Sequence, residues 1–540
     1  MDRVESARAQ RAGLVRFVTA QCVAVATWTI AVASGASAVT AIAVAMCPAA
    51  AALVRIRGRG VPDLAVVLGR YITGRYRRPA RPVDHPYGSG SIGLLRDGTC
   101  LSAVVEVLPP TGDITRLGRD HTDSDRILPL AAIARCLTHH DVTLDAIDVI
   151  AHGRRILDTT PAGQVYAQLV GPLPAASVRT VRLALRLDVS RCRDAVASRG
   201  GGIEGAARTI TVAAQRLERV LGEHRLRARV LTAAEIDAAV ARITRGVDPA
   251  GLERNWRNVP LPGGFDSGGV VEPRRLDRAA LTGIWSHPSL ASTVTVRLRP
   301  GPTPERVRTG ALVRTTTRSS EPLAAPGLRP VRGRDRDALV AALPLAVPGL
   351  ENLATLRSTA TADLDEWAMP VAGCGQLLGS DESGNAVAAC LTGPGVRSVH
   401  VAGELYVALQ IVFRAVAVGA RIVVHTDRPQ AWQPLLDSAA GPDRLRLAGR
   451  YPGDAEFDTA VYDGVRPATV PPHVTALHIH GHPEQWPRER PDLALLQPGA
   501  TGNRVVLTAG SCRTTLTLVT IAAETAHIGR PRVAAPAVAH

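Results

Sequence analysis

The sequence predicts an α/β protein headed by an apolar helical hairpin, and three observations carry that prediction. Strand-like and helix-like segments take turns from about residue 93 onward, several of the strands read as buried, and residues 17–54 contain no Asp, Glu, Lys or Arg. The class read from these features is a two-helix transmembrane hairpin followed by a large cytosolic α/β region.

The uncharged run of 38 residues would make roughly 57 Å of helix, nearly twice a hydrocarbon thickness of about 30 Å. Gly35, within Ala33–Ser37, supplies a turn and leaves about seventeen to twenty apolar residues in each arm. Arg3, Arg8, Arg11 and Arg16 precede the run, and Arg55, Arg57, Arg59, Arg70, Arg75, Arg77 and Arg78 follow it. Arginine on both flanks places both termini in the cytoplasm and the hairpin in the cell membrane as a two-span anchor. Two other readings of the run are a secretory signal peptide cleaved near Ala36–Ala38 and a buried, soluble helical hairpin.

Six segments follow from these shifts in composition: a cytoplasmic tail (1–16), the hairpin (17–54), a basic, Pro-rich juxtamembrane linker (55–86), a first cytosolic α/β module (87–250), a looser strand-containing segment (251–365) and a second cytosolic α/β module (366–540). The linker stretch Arg70–Pro86 cannot be one helix past Pro79, and its arginines suit an anionic lipid surface. In the first module, Leu101–Val107, Leu144–Gly153 and Val178–Asp188 read as strands, and Ile127–Asp141 and Glu204–His224 as helices. In the second, helix Glu404–Ala420 closes near Gly419, a strand ends at "VVHTDRP", and strands recur at "DTAVYDG", "VTALHIHG", "LALLQ" and "RVVLTAG".

The formal charge is +15, yet the chain has no lysine, so all 63 basic residues are arginine. That pattern, with abundant Ala, Val, Gly and Pro, matches a GC-rich bacterial codon bias and weakens any case for a nucleic-acid partner. The missing amine also excludes a Walker A loop, a protein kinase and Schiff-base chemistry. Eight cysteines without a CxxC pair form neither a zinc motif nor a disulfide framework.

Candidate chemistry is confined to four places. In "HIHGHPE", strand alternation puts His478 and His480 on one face with His482 just past the strand end and Glu484 beyond it. The spacing resembles the His-x-His-x-Asp-His pattern of binuclear hydrolases, but His482 and Pro483 stand where Asp and the last His are needed. His425 and Asp427 end a presumed parallel strand, where α/β folds bind ligands such as a ribose or sugar diphosphate. "RGGGIEG" (Arg199–Gly205) opens a helix, with only part of a GxGxxG pattern. His152, in Asp148–Arg155, has an acid and arginines nearby but no nucleophile elbow. The blander account of each is a turn or polar strand end, so no residue is assigned a catalytic, cofactor-binding or metal-ligating role, and no cofactor is expected.

The hairpin, together with "DAIDVIAHGRR", "PLPAASVRTVRLALRLD", "EWAMPVAGCGQLLG" and "LYVALQIVFRAVAVGARIVVHTDRPQAW", resembles the EccE family, membrane components of actinobacterial type VII secretion systems. The likeness spans nearly the whole chain and is least in residues 251–365. It implies a non-enzymatic scaffold subunit of a hetero-oligomeric inner-membrane complex, assembled with EccB-, EccC- and EccD-type components, with EccC the motor. It also implies a glycosyltransferase-like fold without an established activity. The alternative is a membrane-anchored glycosyltransferase-like or metal-dependent enzyme using His425 and Asp427, or His478, His480 and His482.

Overall fold

A computed structural model describes residues 21–530 apart from 23, 54, 57–58, 74–77, 89, 111, 120, 158, 254, 323, 348–349, 394, 450–456, 468, 483–484 and 486–489. The chain divides into two compact units, Met1–Arg78 and Pro79–His540.

In the first unit, residues 21–22 and 24–33 are helical, and the chain then turns at Ser34 and Gly35, where Gly35 has φ of +85°. Ser37 accepts from the Thr40 amide at 3.4 Å and so opens a second helix, Ala38–Leu53, followed by Val61–Thr73. The expected turn is present, but the expected transmembrane hairpin is not. Ala38–Leu53 has 16 residues, about 24 Å at the helical rise, which is short of a hydrocarbon layer of about 30 Å. Among the described residues, no helix is long and apolar enough to cross a membrane. The turn and the Ser37 cap leave Ala38–Leu53 too short to span, so the two-span topology inferred from flanking arginine loses its basis. The tail 1–16, with Arg3, Arg8, Arg11 and Arg16, and Arg57, Arg75 and Arg77 lie outside the described residues.

The second unit is mixed α/β, with two twelve-stranded sheets among the described residues. The first runs, in spatial order, through Val259–Leu261, Gly264–Val271, Arg306–Thr317, Ala291–Pro300, Ala146–Arg154, Val178–Asp188, Cys100–Val107, Gly90–Asp97 and Val83–Tyr87, antiparallel throughout. Strands from residues 251–365 thus extend the sheet outward from Ala146–Arg154. Alternation along each strand feeds two cores: Val105, Val149 and Leu183 face helix Gly202–Glu223, and Val104, Ile150 and Ala184 face Ile236 and Leu339.

Alternating strands and helices would ordinarily signal βαβ units with parallel strands. Here Ala146–Arg154 and Val178–Asp188 are antiparallel neighbours, although helix Pro161–Val170 lies between them in sequence. That helix buries Ala162, Tyr166 and Val170 in the core of the second sheet instead, and the Tyr166 hydroxyl accepts from the Leu377 amide at 2.8 Å. Freed of a crossover helix, the two strands pair as a wide hairpin. Strands Ile114–Leu117 and Thr122–Ser124 likewise join the second sheet. The expected helix Ile127–Asp141 shrinks to Leu130–Arg135, because the chain turns back into a small two-stranded ladder and His140 takes φ of +50°.

Six strands of the second sheet are parallel, ordered Leu445–Leu447, Ile422–Thr426, Thr459–Asp463, Thr475–His480, Ser398–Ala402 and Leu493–Leu496; the other six continue from Arg504–Ala509 in antiparallel fashion. Helix Leu405–Val418 is buried along nearly its whole length and ends at Gly419, whose φ of +110° suits glycine at this C-terminal position.

Among the largest fully buried side chains, Arg182, Arg186, Arg297, Arg314 and Arg414 stand beside the aromatics. Arg297 and Asp148 are cross-strand neighbours with neither side chain accessible, joined at 2.6 and 2.5 Å. Arg186 pairs with Asp145, Arg182 with Glu106, Arg314 with Asp266, and Arg414 with Glu524.

Candidate functional site

In the parallel part of the second sheet, alternation sorts the side chains onto two unlike faces. Ile422, Val424, Val461, Leu477, Ile479, Val399 and Val401 form a core with helix Leu405–Val418, Trp432 and Leu435. The opposite face carries Val423, Ala460, Tyr462, Val474 and Ala476, packed with Phe457. Among the described residues, no α-helix links Thr459–Asp463, Thr475–His480 and Leu493–Leu496.

Across this opposite face runs a row of rings in strict register. His425 lies opposite Tyr462, Tyr462 opposite His478, and His478 opposite His400. Adjacent rings stack, with centroids 5.0, 5.4 and 4.6 Å apart. His480, one pleat further along, stacks on His400 at an interplanar angle of 6°, and its Nε2 hydrogen-bonds His400 Nδ1 at 2.9 Å. Ser398 Oγ meets His400 Nε2 at 3.0 Å.

The structure therefore brings His425, His478 and His480 onto one face and adds His400 and Tyr462. His482 lies past the strand end, exposed, with its carbonyl accepting from the Gln485 amide at 3.2 Å, while Pro483 and Glu484 lie outside the described residues. His400 uses both ring nitrogens inside the row, one on His480 Nε2 and one on Ser398 Oγ. Among the described residues, no group of three His, Cys, Asp or Glu is placed to hold a metal ion.

Burial, and then the neighbouring imidazoles His478 and His480, pull the His400 pKa down to about 4 from 6.5. Burial also lowers His478, helped by His480, and burial alone lowers His480. The cluster is thus neutral near pH 7. A base held below its unfolded pKa binds protons more weakly in the folded state. Its stabilisation is intact above about pH 6.5 and is lost as pH falls towards 4. The denaturation midpoint is expected to drop over that window, and the drop should be shallower in His400→Gln. Equal drops in the two proteins would contradict this account. His152, held at about 3 by burial and then by Arg182, adds to the acid loss in both proteins alike.

The carboxylate at the strand ends is Asp463, which sequence reasoning passed over. It accepts from Thr426 Oγ1 at 3.0 Å, Arg428 Nε at 2.9 Å and Trp432 Nε1 at 2.8 Å. Burial pushes its pKa up, but the hydrogen bonds from Arg428 and Trp432 outweigh that and hold it below the usual range. Asp427 instead lies beyond the strand against Gly464, where an added Cβ would meet its carboxylate. The only signal in the sequence was Asp463 itself, just before the turn at Gly464.

The remaining candidates have structural partners. His152 Nδ1 meets Thr293 Oγ1 at 2.9 Å, and Arg155 donates to the carbonyls of Ser286, Gly171 and Leu173. In the glycine loop, Gly200, Gly201 and Gly202 all take positive φ, and Arg199 pairs with Asp141.

Residues 175–267, which hold the Val178–Asp188 strand and helices Gly202–Glu223 and Ala233–Ile243, match the family model described as "Putative type VII ESX secretion system translocon, EccE". The chain is 28% identical over 302 residues to the ESX-5 secretion system protein EccE5 of Mycobacterium marinum, a match covering 54% of this chain and 73% of that protein. The chain is thus similar to EccE proteins. Two further EccE relatives come from different systems. The ESX-1 secretion system protein EccE1 of Mycolicibacterium smegmatis is 28% identical over 179 residues, covering 32% of this chain and 35% of that protein. The ESX-2 secretion system protein EccE2 of Mycobacterium tuberculosis is 26% identical over 367 residues, 66% of this chain and 65% of that protein. The ring row lies outside the residues matched by the EccE family model.

Proposed function

We propose that this chain is a structural subunit of a type VII secretion complex, supporting protein export by assembling with EccB-, EccC- and EccD-type components rather than by catalysis. The observation that carries this reading is the similarity to EccE proteins of three ESX systems. The disposition of charge supports it: the buried carboxylates Asp148, Asp145, Asp266 and Glu524 each face an arginine, an arrangement that stiffens a fold rather than one that meets a substrate. Exposed apolar side chains in the first unit, among them Trp28, Ile30, Val39, Ile42 and Met46, favour a place within a membrane-associated assembly, since such patches mark protein or lipid contact.

Deletion of the gene and purification of the tagged chain in mild detergent test the proposal. EccB-, EccC- and EccD-type chains should co-elute with the tagged protein, and export should stop in the deletion strain. A chain that elutes alone, with export unimpaired in its absence, would refute the role.

A further inference from the structure

Beyond His400, the same face of the second sheet continues across three more strands. His400 lies opposite Ala494, Ala494 opposite Thr508, and Thr508 opposite Arg513. At strand spacings of about 4.8 Å, the row from His425 to Arg513 crosses seven strands, or roughly 29 Å. Where the rings end, a cleft of about 340 Å³ opens, lined by Arg490, Pro491, Ala494, Leu496, Val506, Thr508 and Arg513. Its floor is aliphatic, its rim holds two exposed guanidinium groups, and no carboxylate among the described residues lines it.

That composition contrasts with the arginine–carboxylate pairs of the interior. Arg297, Arg186, Arg182 and Arg414 each face an internal carboxylate, whereas among the described residues neither Arg490 nor Arg513 has an acidic partner. Arg490 donates to the Gly510 carbonyl, which fixes the guanidinium over the cleft without neutralising it. Guanidinium groups are the side chains best suited to bind carboxylates in two-pronged fashion. His400 and Tyr462 are buried within the ring row, so the aliphatic floor and the two arginines of the cleft are what a partner would meet.

We propose that this cleft docks an acidic protein segment of a neighbouring secretion subunit, its carboxylates seated between Arg490 and Arg513 and its apolar side chains against Leu496 and Val506. The inference rests on the assembly role proposed above and names the surface that serves it. Charge complementarity selects the occupant: an apolar helix would leave both guanidinium groups without a counter-charge, and a small anion would leave the aliphatic floor uncovered.

The test uses the full chain in its own complex. Arg490→Glu/Arg513→Glu should lower recovery of at least one co-purifying subunit by tenfold or more at physiological salt, while the melting temperature stays at the wild-type value. A photo-crosslinking residue at Thr508 in the otherwise wild-type chain should link to an Asp- or Glu-rich segment of that subunit, and raised salt should reduce the yield, because exposed charge pairs are screened. Undiminished recovery with the double variant, a crosslink confined to an apolar helix, or no crosslink at all would overturn the docking proposal. Wild-type protein that recovers no partner overturns the assembly role itself, so the two failures are distinguishable. Inorganic phosphate serves as a control anion; if it raises the melting temperature and no peptide crosslinks, a small-anion site replaces the proposed one.

Discussion

Replacing Asp148 with Ala is expected to cost about 3–5 kcal/mol of folding stability, because it leaves the Arg297 guanidinium buried without its counter-ion. Neither side chain has accessible surface, and they meet through two short hydrogen bonds at the centre of the first sheet. Arg297 Nη2 also donates to the Val347 carbonyl at 3.1 Å, which cannot neutralise the charge. The pair should nevertheless be replaceable as a unit. Asp148→Leu/Arg297→Leu removes both charges together, and its stability should return most of the way to wild type. Chemical denaturation of both variants decides the point. A double variant as weak as the single one would mean that the pair holds strand register rather than merely satisfying its own charges.

The second large effect is expected at the end of the described chain. Glu524 is almost completely buried, accepts from Arg414 Nε at 2.6 Å and Nη2 at 2.8 Å, and receives Gln410 Nε2 at 3.3 Å. It ties helix Ala522–Ile528 to helix Leu405–Val418, where His527 also packs on Phe413 with ring centroids 5.2 Å apart. Glu524→Ala should cost about 3–5 kcal/mol for the same reason as Asp148→Ala. It should also release the 522–528 helix, seen as rapid amide exchange there before global unfolding. Slow exchange over 522–528 in the variant would show that apolar packing alone seats the helix.

Much of this architecture was readable because it is local. Strand Val178–Asp188 and the Gly419 stop follow from alternation and glycine conformation, and His478 and His480 share a face because side chains alternate along a strand. What escaped reading depends on pairing between distant segments. His400 meets His480 only because Ser398–Ala402 inserts beside Thr475–His480, a neighbour 80 residues away in sequence. Helix Pro161–Val170 lies in sequence between two strands that pair with each other, yet its apolar stripe fits the other sheet, and nothing in its own sequence says which sheet it will meet. The N-terminal run misled in a different way. Its lack of charge was real, but where it turns depends on Gly35 and the Ser37 cap, and these leave Ala38–Leu53 short of a span.

The central claim is that this chain acts through assembly and not through chemistry. The most direct test compares complex yield with export rate across single substitutions of His400, His425, His478, His480 and Asp463. Under this account, export falls only in proportion to complex yield for every variant. A substitution that leaves the complex fully assembled yet stops export would contradict it.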